Sequence, residues 1–236
     1  MSHDRIAFNR AAFLAGSLAA VGALPEVARG SGAAPTSSGP TPSPEHLLGR
    51  LMAGNNRFVH NDFPALTNRI AEKREMLTQG QAPFAAILSC ADSRVVPNLV
   101  FVQGLGDLFV TRVAGNYPDD LVSGSIEYAV EHLGTRLVMV LGHENCGAVA
   151  AVYSAIETKT TLPPHLSTIQ RFLAPGISDV VRAHGSQMAA VEANVRAAVT
   201  ALKTMPPELS KDVRSGRVLV VGGAYELGSG QVRLLE

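Results

Sequence analysis

Four short apolar runs, at residues 84–90, 108–113, 136–142 and 217–222, stand out in a chain whose other apolar positions recur at helical spacing. Runs without alternation predict strands buried on both faces, the pattern of a parallel sheet covered by helices. Helical segments are expected at 125–133, 148–156, 169–172 and 188–202. Gly134 closes the first, and Pro163-Pro164, Pro175-Gly176 and Pro206-Pro207 punctuate the others. An earlier helix is expected to begin at Ser43, with Pro44 at its first position, Glu45 favourable to the dipole, and Leu47, Leu48, Leu51, Met52 and Phe58 as its apolar stripe. From Tyr225 to Leu234 the chain reads as a strand, a Gly-rich turn and a returning edge strand. The fold class is therefore α/β: a mostly parallel central β-sheet, about four parallel strands plus an antiparallel edge strand, flanked by helices.

The N-terminal segment follows another pattern. Arg5 and Arg10 precede an uncharged stretch from Ala11 to Leu24 that stops at Pro25, the shape of an export signal. The stretch falls short of the roughly 20 apolar residues that cross a bilayer, so no permanent membrane span is expected. Asn9-Arg10-Ala11-Ala12-Phe13-Leu14 is similar to a twin-arginine motif whose second arginine is Ala11, which leaves the twin-arginine and general secretory routes both open. Residues 1–34 thus read as the export signal, 35–43 as a flexible linker of Gly, Ser, Thr and Pro character, and 44–236 as a single α/β catalytic domain. The expected location is exported and periplasmic.

Composition narrows the partners. Twenty basic and twenty acidic residues balance to zero net charge without blocks of one sign, so nothing marks a nucleic-acid or anionic-membrane footprint. Trp is absent and aromatics make up 5%, against base-stacking platforms. A small neutral or anionic partner fits better.

The chemistry lies where two of the apolar runs end. The first leads into Ser89-Cys90-Ala91-Asp92-Ser93-Arg94, and alternation along an extended backbone sends Cys90, Asp92 and Arg94 to one side. The third leads into His143-Glu144-Asn145-Cys146-Gly147, where a helix is expected to open and its dipole to favour a thiolate at Cys146. Cys90, His143 and Cys146 make a zinc ligand set with a fourth position left open, at the carboxyl ends of strands where α/β sites are built. Other readings stay open: a Cys90–Cys146 disulfide, or inert buried thiols beside a solvated Asp92–Arg94 pair. His3, His46, His60, His132, His165 and His184 read as surface residues. Gly222-Gly223 lacks the full dinucleotide-binding pattern.

Together the two stretches resemble the zinc site of the β-class carbonic anhydrases. Residues 51–58, 109–116, 125–130 and 223–227 are similar to family stretches in the same order, and the likeness spans 45–236. The resemblance implies reversible hydration of carbon dioxide to bicarbonate by a hydroxide on Zn2+, held by Cys90, His143 and Cys146. It implies that Asp92 accepts that hydroxide's proton and that Arg94 keeps Asp92 ionised, with Asp92 an alternative fourth ligand in a closed state. It further implies that Gln81 donates to a substrate oxygen, and that Phe109 and Tyr128 line an apolar substrate pocket from a neighbouring subunit, hence a homodimer or homotetramer with sites at the interface. Hydrolysis of carbonyl sulfide or carbon disulfide on the same scaffold is an alternative, as is a non-catalytic binding module stabilised by zinc or a disulfide. Asp92 and Arg94 argue against the module, because a structural zinc site is normally closed by a fourth Cys or His.

Overall fold

The computed structural model describes residues 41–63, 70–204 and 206–235. The segment expected to be the export signal, and the expected linker up to residue 40, lie outside them. In chain order the elements are α1 (Pro44–Val59), α2 (Ile70–Met76), β1 (Ala85–Ser89), α3 (Pro97–Val100), β2 (Leu108–Arg112), α4 (Asp120–Glu131) and β3 (Leu137–His143). There follow α5 (Gly147–Glu157), α6 (Leu166–Arg182), α7 (Gln187–Thr204), α8 (Pro207–Arg214), β4 (Leu219–Tyr225) and β5 (Val232–Leu235).

The strands form one sheet in the order β2-β1-β3-β4-β5, parallel throughout except for β5, which returns antiparallel to β4. All five residues of β1 and all seven of β3 are buried, which is why their apolar runs do not alternate. On one face Ala86, Leu88, Val138, Val140 and Val220 pack beneath Ile126 of α4, Val195 and Leu202 of α7 and Leu209 of α8. On the other, Ile87, Leu137, Met139 and Leu141 meet Leu47 and Leu51 of α1 and Val100 of α3. Each face hides its apolar area from water at roughly 25 cal/mol per Å2.

Local signals placed several boundaries. The Ser43 side chain accepts from the His46 N–H at 3.2 Å and caps α1, with Pro44 in its first turn. One expectation fails: α6 does not stop at Pro175 but continues through it to Arg182. Burial of Leu173, Ile177 and Val181 on one side of the helix outweighs the local cost of the missing N–H. Gly176 allows the neighbouring helix close, since a Cβ there would lie 2.7 Å from the Ala197 Cβ of α7. Three short helices were not anticipated, α2, α3 and α8; α2 buries none of its residues and so carries no apolar stripe.

Candidate metal centre

β1 and β3 are neighbours, with Ser89 in register with Leu141, so the segments that follow them leave the sheet side by side. The extended alternation expected for Cys90, Asp92 and Arg94 does not occur, because β1 ends at Ser89 and the chain turns, the Val95 N–H donating to the Asp92 carbonyl at 3.0 Å. Asp92 and Arg94 meet anyway, through a turn instead of a strand. Arg112, the last residue of β2, holds this turn by donating to the Cys90 carbonyl at 3.1 Å and the Asp92 carbonyl at 2.6 Å. Beyond β3 the chain reverses through Asn145 at φ +53, and Cys146 becomes the N-cap residue of α5.

The Cys90 and Cys146 sulfurs and one His143 ring nitrogen all lie within 4.8 Å of one another, and the sulfurs are 4.0 Å apart. Both cysteines are free and buried, so no disulfide joins them. His143 is fully buried, and its Nδ1 donates to the Glu144 carbonyl at 2.9 Å. A carbonyl only accepts, so the proton sits on Nδ1 and Nε2 keeps its lone pair. Nε2 has no hydrogen-bond partner among the described residues. Glu144 is itself fastened, its carboxylate accepting from the Leu227 N–H at 3.2 Å.

Two sulfurs so close do not both carry charge without a cation. The hydrogen bond from Cys146 pulls the Cys90 thiol down to about 4 against the cost of burial, helped by His143 and by the Gly115 and Asp92 N–H groups. Cys146 moves the other way, because its proton is held by the hydrogen bond to Cys90, by burial and by the neighbouring negative charge; the Ala148 and Val149 N–H groups pull it back only weakly. Without a cation the pair thus shares one proton, one sulfur ionising far more readily than the other. Burial lowers His143, but its closeness to Cys90, the charge there and the bond at the Glu144 carbonyl prevail, and its net shift is upward.

Asp92 faces this cluster with Oδ2 4.0 Å from His143 Nε2. Arg94 grips it in a fork: Nε donates to Oδ1 at 2.9 Å and Nη2 to Oδ2 at 2.7 Å, while the Arg94 N–H also donates to Oδ1. Those bonds, stronger than the opposing burial, hold the Asp92 carboxyl well below the usual carboxylate range. Arg94 Nη2 reaches on to the Asn145 carbonyl at 3.3 Å, tying the two ligand-bearing loops together. In this arrangement Asp92 is turned to Arg94 and is not among the clustered ligand atoms.

Gln81, Phe109 and Tyr128 are not brought to the cluster. Gln81 is exposed ahead of β1, beside Lys73, Leu77, Leu105 and Gly106, at the opposite end of the strand from Cys90. Phe109 is in register with Ala86, about 13 Å of strand before Cys90. Its ring lies 6.3 Å from that of Tyr128, which is 48% exposed. His46, His60, His132, His165 and His184 are exposed, as expected, and His3 lies outside the described residues. Arg112 and Glu144 were not anticipated as supports of the site. Each acts through a backbone group distant in sequence, and no local spacing marks that.

The donor set fits zinc. Two Zn–S bonds of about 2.3 Å at a tetrahedral angle span about 3.8 Å, close to the observed sulfur separation. A buried proton-sharing thiol pair beside an unpartnered imidazole nitrogen is what a divalent cation would relieve. A family model described as carbonic anhydrase matches residues 85–232. The chain is 37% identical to a carbonic anhydrase of Mycolicibacterium smegmatis over 196 residues, 83% of this chain and 95% of that one. It is equally similar to carbonic anhydrase 2 of Mycobacterium tuberculosis, at 37% over 83% and 94% of the two chains. Its fold superimposes on the Coccomyxa β-carbonic anhydrase solved with acetazolamide at a TM-score of 0.60, with 28% identity and 83% and 87% coverage.

Proposed function

The chain belongs to the β-class carbonic anhydrases, enzymes that hydrate carbon dioxide to bicarbonate, and from that premise we propose that Cys90, His143 and Cys146 hold the zinc ion while Asp92 and Arg94 govern the nucleophile. The observation that carries this is the convergence of three buried ligand atoms within 4.8 Å. Zinc bound there supplies a Lewis acid that makes water a nucleophile at neutral pH.

The chain's own residues do the rest. Asp92 Oδ1 already accepts from the Arg94 N–H and Nε, whereas Oδ2 accepts only from Nη2 and keeps a lone pair toward the cluster. Held ionised, Asp92 is an acceptor only. It therefore favours an oxygen that carries hydrogen, such as the attacking water, and turns that oxygen's free lone pair toward the carbon of carbon dioxide. A product oxygen without hydrogen finds no donor at Asp92, which favours departure of bicarbonate. The proton lost in forming bicarbonate leaves to solvent.

Gln81, Phe109 and Tyr128 serve the site of a second copy in a homodimer or homotetramer. Supporting this, β2 is an edge strand whose outer side has no partner strand among the described residues, and all three side chains stand beside or ahead of it, away from Cys90 of their own chain. Residues 1–34 direct export to the periplasm, on the strength of Arg5 and Arg10 and the uncharged stretch after them. Amino-terminal sequencing of the mature protein tests the export reading, which fails if residue 1 is retained.

Metal analysis of the purified protein with a stopped-flow assay of carbon dioxide hydration tests the site. The expectation is about one zinc per chain and activity, both lost in Cys90→Ser. Zinc-free protein that still hydrates carbon dioxide would overturn it.

A further inference from the structure

His143 and Cys146 are joined by two residues, Glu144 and Asn145, and both are held from outside the loop they form. The Asn145 carbonyl accepts from Arg94 Nη2 at 3.3 Å. Glu144 is held at two points by the end of β4 and the turn after it. Its N–H donates to the Tyr225 carbonyl at 2.8 Å, and its Oε2 accepts from the Leu227 N–H at 3.2 Å. The first bond continues the β3–β4 ladder, in which His143 is in register with Tyr225. The second lies past the end of β4, so a side chain carries the attachment where the ladder stops.

The anchor is itself braced. In the turn between β4 and β5 the Glu226 N–H donates to the Gln231 carbonyl and the Gly230 N–H to the Glu226 carbonyl, both at 2.9 Å. Asn55, buried in α1, fastens the far side: its Nδ2 donates to the Gly230 carbonyl at 2.9 Å and its Oδ1 accepts from the Val232 N–H at 2.8 Å. A Cβ on Gly230 would stand 2.9 Å from Phe58 Cε1, so the turn sits close against α1. The Leu227 N–H thus reaches Glu144 from a fixed frame.

What this clamp controls is the Glu144 carbonyl, which takes the His143 Nδ1 proton at 2.9 Å. The N–H on Tyr225 and the carboxylate on Leu227 fix two of the bonds that leave the Glu144 Cα, and the near-constant angle at Cα then places the carbonyl carbon. Asn145, held by Arg94, limits the rotation that remains. The bond has a competitor. A neutral imidazole can carry its proton on either nitrogen, and Asp92 Oδ2, 4.0 Å from Nε2, draws it to the side that faces the cysteines. The Glu144 carbonyl opposes that pull only while it is held in reach of Nδ1.

We propose that Glu144 is a positioning residue for the metal centre: its carboxylate, seated on the Leu227 N–H, holds its own carbonyl where it takes the His143 Nδ1 proton and so leaves Nε2 free to ligate. An imidazole fastened through its other nitrogen offers a ligand of set direction and raised basicity. The inference rests on His143 being a zinc ligand, which the zinc content of the unmutated protein tests separately.

The experiment compares the full-length protein with Glu144→Met, which keeps the bulk and removes the acceptor, and Glu144→Gln, which keeps an acceptor without the charge. Zinc affinity is measured by chelator competition. The His143 tautomer is read from the ring nitrogen shifts of zinc-free protein labelled with nitrogen-15 histidine, with the ring neutral. Glu144→Met is expected to bind zinc about 10–100-fold more weakly and to lose the single Nδ1–H tautomer, and Glu144→Gln to stay close to the unmutated protein in both. A Met variant with unchanged affinity and tautomer, only its melting temperature lowered, would make Glu144 a packing residue and overturn the proposal. A Gln variant as impaired as Met would also overturn it, because the charge and not the bond to Leu227 would then matter. Should Glu144→Met not fold, Glu144→Asp decides: one methylene short of the Leu227 N–H, it is expected to lose affinity and tautomer together, and unchanged values refute the proposal. Unmutated protein with the His143 proton on Nε2 would refute it whatever the variants do. Unmutated protein that binds no zinc would instead overturn the ligand assignment, and the tautomer measurement would still decide the clamp.

Discussion

A Cβ on Gly142 would stand 2.5 Å from Cγ2 of Val195, so the end of β3 and the middle of α7 meet at a distance only glycine permits. Val195 is fully buried and β-branched, with little rotamer freedom to yield. Gly142→Ala is expected to destabilise the protein by about 1–3 kcal/mol through overpacking, read from denaturant midpoints. Because His143 is the next residue, zinc affinity is expected to fall with it. Adding Val195→Ala should return part of the loss, and strictly additive effects of the two substitutions would refute a direct clash.

Asp92→Asn keeps the size of the side chain and removes its negative charge. The three ligand atoms do not include Asp92, so about one zinc per chain is expected to remain while turnover falls about 10–100-fold. Metal content and hydration rate on the same preparation check this. Loss of zinc along with turnover would place Asp92 among the ligands, the closed arrangement implied by the family resemblance.

The unequal thiols give a pH signature in zinc-free protein. Absorbance of thiolate near 240 nm is expected to develop for one sulfur as pH rises through about 4, and for the second only in strong alkali. Ordinary thiols titrate near 8.5. With its folded value depressed, Cys90 contributes stability that is present above about 8.5, where the unfolded thiol ionises, and is lost as pH falls through about 4. A single step of two thiols near pH 8.5 would contradict the shared proton.

Away from the site, Asp212 is buried with no hydrogen-bond partner for Oδ2 among the described residues and is ion-paired to Arg217, which also lies 3.4 Å from Glu131. Burial, then the hydrogen bond with Asp212 and its charge, raise the Glu131 carboxyl. Arg217→Met leaves the two acids facing each other. The guanidinium is 56% exposed, which limits the expected loss at pH 7 to about 1–3 kcal/mol, less than a fully buried pair would lose. Removing the cation takes away a charge that lowers the already raised Glu131 carboxyl, whose folded pKa then rises further above its unfolded one. The deficit should therefore shrink as pH falls through the carboxylate range, where the folded pair takes up a proton before the unfolded chain does. A deficit independent of pH would argue that only packing was lost.

Sites shared between copies predict complementation. Gln81→Ala and Cys90→Ser chains, each impaired alone, are expected to regain about a quarter of the intact sites when equal amounts are unfolded and reassembled together, since half the random dimers pair one of each. No gain over the separate variants would mean Gln81 does not act across copies.

Much of this was legible because it is written locally. The buried runs that became β1 and β3 needed no tertiary knowledge, since an uninterrupted apolar stretch suits a strand covered on both faces. The ligands stood at the ends of those strands. What escaped was decided at a distance: α6 passes Pro175 because its buried face packs against other helices, and nothing adjacent to that proline says so. Asn194, whose Nδ2 donates to the Gly115 carbonyl, reads in sequence as one polar residue in an Ala- and Val-rich helix. Its partner Gly115 is 79 positions away. The companions of Cys90 escaped for a similar reason, because the helix start is visible at Cys146 whereas the groups around Cys90 are distant in sequence.

The pairing of Ser89 with Leu141 sets the ligand-bearing ends one ladder spacing apart, although the chain must travel through β2 and α4 between them. A parallel contact of such long range closes late in folding. Only chains whose two central strands have paired in the correct frame present both sulfurs at one place. With zinc held as proposed, the zinc content of a preparation would then measure its properly folded fraction as well as its activity.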